Sequence, residues 1–196
     1  MPFFKKPSQP QWIVAGLGNP GRVYELTRHN AGFLCLDLLA DERSVKINKL
    51  KFHALTGFAE LGGQRCLLMK PNTYMNLSGE ALREASSFYK IPPERVLAIF
   101  DDVSFPPGVL RIRRQGSDGG HKGAKSLIQH LGQSFPRIKL GVGQKPHSDY
   151  DIKDWVLSTM NREELLLLRE ACGSAVKAAE LIVQGEIDRA MSRYGK

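Results

Sequence analysis

The sequence predicts an α/β fold: a single domain with a mixed, twisted β-sheet and helices packed on both faces. Three observations predict it. Short apolar runs of strand length interleave with amphipathic stretches of helix length along the whole chain. No internal repeat and no linker divides the 196 residues, a length suited to one domain. Hydrophobic residues make up 42% of the chain and charged residues 24%, the balance of a globular protein rather than a disordered one.

The elements follow in order. Residues 1–10 read as a flexible tail and residues 11–196 as the domain. Residues 11–15 (QWIVA) suit a buried strand, ended by the glycine-rich turn at 16–21. A helix is predicted over 30–42, with Phe33, Leu34, Leu38 and Leu39 as its apolar face. Two β-rich runs, 52–61 and 65–69, flank Gly62-Gly63 as a hairpin. A helix over 78–89 presents Ala81, Leu82, Ala85 and Phe88, and Pro92-Pro93 stops it. The run VLAIF at 96–100 is short and apolar enough for a central strand, with further strands expected at 109–113 and 137–142. Between those two, the loop GSDGGHKG at 116–123 leads into a helix over 124–131. The last long helix starts at Asn161, where Glu164 completes a capping box, and runs to a stop at Gly185.

Composition excludes several functions. No apolar run approaches the roughly 18 residues of a membrane span, and the leucine block 165–168 lies between Glu164 and Arg169. The first ten residues hold two lysines but no apolar segment or cleavage site of a secretory signal. Cys35, Cys66 and Cys172 lie far apart without CxxC spacing, and buried reduced thiols are expected. A soluble cytoplasmic protein is therefore predicted. The formal charge is +8, and between Phe105 and Tyr150 eight basic residues face only Asp118 and Asp149. Such a sector suits a polyanion, nucleic acid first, although a solvated basic face is the plainer alternative.

The chemistry-bearing residues cluster in a few segments. Gly16 to Gly21 fits G-x-G-x-x-G, but Pro20 inside the turn and the late start of the next helix argue against a dinucleotide site. The glycines instead let the backbone approach a ligand, with Asn19 presenting an amide. His29, just ahead of a helix, suits a general base if a carboxylate orients it. Asp101, at the C-terminal end of the VLAIF strand, is the candidate, since open α/β sheets place catalytic groups at that edge. Asp101 with Asp102 as a Mg²⁺ pair is the alternative, lacking a third acidic ligand at useful spacing. The segment KPNTYMNLSG at 70–79 reads either as a capped helix start or as a polar wall built from Tyr74, Met75 and Asn76. His121 and Lys122 stand beside a helix N-terminus, which favours anions. No nucleophile motif is present, so activated water is the expected attacker.

Taken together and in order, GLGNPG, Tyr24, TRHNAG, KPNTYMNLSG, DDVSFPPG, GSDGGHKG and RIKLGVG resemble the bacterial-type peptidyl-tRNA hydrolase family, over about Trp12 to Trp155. The resemblance implies that His29 is a general base activating water against the ester between a peptide and the 3′ ribose of tRNA. It implies that Asp101 orients His29 and that Asn19 separates blocked from unblocked aminoacyl-tRNA. Tyr24, Tyr74, Met75 and Asn76 fall on substrate-contacting positions, and Arg113 with Lys139 on a clamp for the tRNA 5′ phosphate. No metal or organic cofactor and no obligate protein partner is implied, and a monomer is the default. Two residues depart from the family pattern. Lys122 stands where an asparagine is usual, a donor-only cation in place of an amide. Lys139 replaces an arginine, a point charge in place of a planar fork. A non-catalytic RNA-binding module on the same fold, and a metal-dependent phosphatase or nuclease, are the competing readings.

Overall fold

Apolar β-branched and leucine-rich runs build the centre of the sheet, because strands covered on both faces must be hydrophobic throughout. The computed structural model describes residues 8–195. Residues 1–7 of the expected tail lie outside the described residues, and Pro10 is already buried. The strands are β1 (Trp12–Gly16), β2 (Lys49–Lys51), β3 (Ala54–Leu61), β4 (Gln64–Pro71), β5 (Val96–Asp102), β6 (Leu110–Arg113) and β7 (Arg137–Gly141). The helices are α1 (Ala31–Glu42), α2 (Ser78–Tyr89), α3 (Lys122–Leu131), α4 (Ile152–Val156), α5 (Arg162–Val183) and α6 (Ile187–Tyr194). Strand order is β2-β3-β4-β1-β5-β7-β6. The central β4, β1, β5 and β7 run parallel, and the antiparallel β2–β3 and β6 close the two sides.

Alternation along β1 splits the core. Trp12 and Val14 join the cluster under α1, α5 and α6, while Ile13 and Ala15 join the one under α2 and α3. From the end of β1 the chain turns through α1 toward β4, whereas from β5 it turns toward β6 and β7. The β1–β5 gap is therefore the switch point at which such sheets bind ligands. A close backbone approach fixes that corner. A Cβ on Gly32 would sit 2.2 Å from the Ile99 carbonyl oxygen, and one on Gly16 would sit 2.2 Å from the Gly32 carbonyl oxygen. Both glycines are required because α1 begins in backbone contact with the ends of β1 and β5.

Some expectations need correction. The apolar face of α1 is Cys35, Leu36, Leu39 and Ala40, whereas Phe33, Leu34 and Leu38 are only half-buried. The helix is wedged between sheet and α5, so its buried stripe is rotated from the bulkiest residues. Phe88 is 60% exposed and stacks with Phe52, Tyr89 and the Lys51 ammonium rather than entering the core. Edge strand β2 was not predicted: its three residues are all exposed, and its lysines discourage pairing with another chain. Helices α4 and α6 were also missed, being short. The Asn161–Glu164 capping box forms as expected. Among the described residues no helix is long and apolar enough to cross a membrane.

Two outcomes follow from this packing. Gly32→Ala lowers the unfolding free energy by about 2–3 kcal/mol, because backbone rather than a movable side chain blocks the new methyl; urea titration measures it, and an unchanged midpoint would refute the contact. Cys35, Cys66 and Cys172 are all buried, and burial pushes the Cys66 thiol up to about 12. The native protein therefore leaves all three thiols unreacted with a disulfide reagent at pH 8, and the protein in denaturant releases all three.

Candidate active site

Four chain segments converge on the β1–β5 corner. The loop after β1 brings Asn19, and a 3-10 turn at Arg28–Asn30 sets His29 just ahead of α1. The end of β5 brings Asp101 and Asp102. The segment between β4 and α2 brings Tyr74, Met75 and Asn76, and the glycine loop before α3 brings His121 and Lys122. Together with α4 they line a cavity of about 640 Å³.

Asp101 is the centre of the site. It is 2% exposed and accepts hydrogen bonds from two imidazoles. His29 Nδ1 lies 2.9 and 3.0 Å from its two carboxylate oxygens, and His121 Nε2 lies 2.8 Å from Oδ1. His121 Nδ1 in turn accepts the Ala124 N–H at 3.1 Å, so its Nε2 carries the proton given to Asp101. Donation from Nδ1 likewise leaves His29 Nε2 as the acceptor on the far edge of the ring. Burial alone would raise the Asp101 pKa, but the adjacent His29 and His121, by charge and hydrogen bond, hold it well below the usual carboxylate range. Because the folded value is the depressed one, this carboxylate adds stability that is complete above about pH 4 and lost as the pH falls toward the folded value.

Asn19 is anchored through its carbonyl side. Its Oδ1 accepts the Met75 N–H at 2.9 Å, and its backbone is clasped by Asn30 at 2.9 and 3.0 Å. The Asn19 NH₂ remains as the donor available to a ligand. Tyr24, Asn76 and the 60% exposed Tyr74 stand along the cavity wall, while Met75 lines it with a side chain that is 4% exposed. Lys122 reaches the wall from the first turn of α3 and is exposed. Lys139 also lines the cavity, with its ammonium 3.1 Å from Asp102 Oδ2. Arg113 does not line it. It is exposed on β6 and donates to the Ile112 carbonyl at 2.9 Å.

The paired-aspartate metal alternative lacks its geometry. Asp101 turns to the two histidines, whereas Asp102 turns to Lys139 and to the Ser104 N–H. Among the described residues, the one cluster with ligand-like spacing is His29, Asp101 and His121, and hydrogen bonds already join those three. No serine, threonine or cysteine stands among the described residues that line the cavity.

Sequence reasoning left three contributors out of the site. His121 stood in a loop read only for its anion-binding backbone, although its neighbouring glycines were the available signal. The α4 wall, with Ile152, Lys153, Val156 and Leu157, gave no signal because one helical turn has no readable period. Arg28 is 4% exposed. Its guanidinium stacks 3.6 Å from the Trp155 ring centroid and bonds Ser158, Thr159 and Glu164, which ties α4 to the turn that carries His29.

An open α/β sheet with a carboxylate-oriented histidine in a cation-edged cleft defines a hydrolytic enzyme that activates water. The comparisons say which one. The family model for peptidyl-tRNA hydrolase matches residues 13–196. A peptidyl-tRNA hydrolase from an Exiguobacterium species is 48% identical over 182 residues, covering 92% of this chain and 98% of its own. One from Agathobacter rectalis is 48% identical over 185 residues, covering 93% and 99%. The crystal structure of an Arg119Gln mutant of the Acinetobacter baumannii peptidyl-tRNA hydrolase superposes with a TM-score of 0.89 at 34% identity, over 97% of each chain. A schistosome purine nucleoside phosphorylase, at TM-score 0.50 and 10% identity, shares the fold alone. The chain belongs to the peptidyl-tRNA hydrolase family. It is a hydrolase of peptidyl-tRNA.

Asp101→Asn replaces an acceptor of two N–H groups by an amide that competes with them as a donor. It is expected to lower kcat at least about a hundredfold, with KM changed little, in an assay of peptide release from N-blocked aminoacyl-tRNA. Undiminished kcat would remove Asp101 from the reaction.

Proposed function

We propose that His29 is the general base of ester hydrolysis in this chain, with Asp101 as its orienting carboxylate. The supporting observation is the double acceptance by Asp101, which commits His29 Nδ1 as a donor and leaves Nε2 to take a proton. Water in the cleft gives that proton to Nε2 as its oxygen attacks the carbonyl carbon joining the peptide to the 3′ ribose. The tetrahedral intermediate collapses, the ester C–O bond breaks, and the proton passes from His29 to the departing ribose oxygen. The products are a peptide acid and tRNA with a free 3′ terminus. Nothing in this sequence of steps needs a cofactor.

Asn19 suits the discrimination of blocked from free aminoacyl groups. With Oδ1 spent on Met75, its NH₂ can donate to the acyl carbonyl of a blocked substrate. A free ammonium offers only donors, so the same contact would leave two donors facing each other. Tyr24, Tyr74, Met75 and Asn76 supply the apolar and amide wall along which peptide and terminal nucleotide lie. Lys122 serves the carbonyl oxygen as negative charge develops, or a nearby phosphate, in the role of the more usual amide. Lys139 and Arg113 take the tRNA 5′ phosphate. Arg113 stands diagonal to Lys139 across the β6–β7 ladder, on the same face of the sheet. Residues 11–195 act as one catalytic domain, and the enzyme works as a cytoplasmic monomer.

His29→Ala abolishes release of N-acetyl-aminoacyl groups while tRNA binding largely persists, and the wild-type reaction continues in EDTA. Loss of binding in step with activity would count against His29 as the base. Lys122→Asn alters KM or kcat severalfold in the same assay; unchanged constants would make Lys122 a bystander.

A further inference from the structure

The Lys139 ammonium is already engaged when tRNA arrives. It lies 3.1 Å from Asp102 Oδ2, with the two side chains 20% and 12% exposed. The other Asp102 oxygen accepts the Ser104 N–H at 2.8 Å, so the carboxylate is held from both sides and cannot swing away freely. Arg113 differs, having no acidic partner among the described residues. The two cations thus enter tRNA binding in different states, one neutralised and one bare.

We propose that Asp102 is a built-in competitor for the phosphate that Lys139 binds, and that it sets how tightly tRNA is held before and after hydrolysis. The proposal rests on the reading that Lys139 takes a tRNA phosphate. An incoming phosphate must share the ammonium with a fixed carboxylate of the same sign, so part of the attraction to Lys139 is offset by repulsion from Asp102. The offset has a use. The 5′ phosphate takes no part in breaking the ester bond and is identical in substrate and product, so its contact is uniform binding that adds nothing to the chemical step. Tightening it would retain the deacylated tRNA as firmly as the substrate and slow its release. Asp102, next in sequence to the orienting Asp101, thereby weakens the grip on tRNA at the C-terminal end of the same strand.

Asp102→Asn is the test, since the amide oxygen can still accept the Ser104 N–H while the charge is lost. The readout is the inhibition constant of uncharged tRNA, with and without its 5′ phosphate. Asp102→Asn is expected to lower the constant for 5′-phosphorylated tRNA about fivefold. The gain should largely vanish for dephosphorylated tRNA and in a Lys139→Met background. Asp118→Asn supplies the control, because Asp118 lines the same cavity and bonds the Gly120 N–H but pairs with no lysine. Equal tightening of both tRNAs, tightening no greater than that of Asp118→Asn, or no tightening would each overturn the proposal. If Lys139→Met alone leaves binding of 5′-phosphorylated tRNA unchanged, the reading of Lys139 fails first.

Discussion

The acceptance of two imidazole N–H groups by one buried carboxylate is the interaction on which the site depends. Asp101 alone would be costly at 2% exposure, since an isolated buried carboxylate pays a large desolvation penalty. Two donors, one from each layer of helices, offset that penalty and hold the group ionised. His29 comes from the turn ahead of α1 on one face of the sheet and His121 from the loop ahead of α3 on the other. The sheet edge is thereby closed by a His–Asp–His bridge, and the rings lie 4.8 Å apart between centroids. His121 packs 4.7 Å from Phe100, so the bridge also rests on the core beneath it. The tautomer of His29 is a consequence of this bridge rather than an independent feature.

The bridge needs the helix start to lie within reach of the strand end, and glycine makes that possible. Gly32 stands one turn beyond His29 against the Ile99 carbonyl, two residues before Asp101. A side chain there would push α1 outward and lengthen the His29–Asp101 contact. A backbone requirement in α1 and a chemical requirement at Asp101 are thus two ends of one short path. The Arg28 stack on Trp155 extends the path to the α4 wall of the cleft and ties that wall to the turn that carries His29.

Much of this was legible in the sequence, and the reasons are local. VLAIF followed by Asp101 carried both a strand and the end at which chemistry belongs. The capping box at Asn161 and the diglycine at Gly62 named their elements because each depends on residues a few positions apart. What stayed hidden depends on contacts distant in sequence. The buried stripe of α1 follows from where α5 lies, which no helical period contains. His121 looked like part of an anion-binding loop because its partner is 20 residues away. The seven ordered motifs resembled a family closely enough to place Asn19, His29 and Asp101 and to pair the last two, yet they carried no information on the Met75 N–H that Asn19 accepts or on the second imidazole that Asp101 accepts.

The basic sector shows the same limit for charge. Counted along the chain it is a run of cations facing a polyanion, but the fold assigns those cations different tasks. Arg137 is fully buried and spends its guanidinium on the carbonyls of Ser117, Gln133 and Phe135. Burial pulls its pKa down to about 10, so it stays charged at neutral pH, yet it braces the glycine loop rather than meeting solvent. Lys145 donates to the carbonyls of Ser148 and Tyr150, and Arg114 pairs with Asp188 of α6. Lys139 is matched by Asp102, whereas Arg113 and Lys122 present charge with no acidic side chain bound among the described residues. Affinity for a polyanion scales with the charges that can exchange their counter-ions for phosphate, not with the number written in the sequence. Among the described residues the fold therefore leaves fewer free cations for a polyanion than the chain's count of basic residues, because several are already spent on carbonyls and carboxylates of the protein itself.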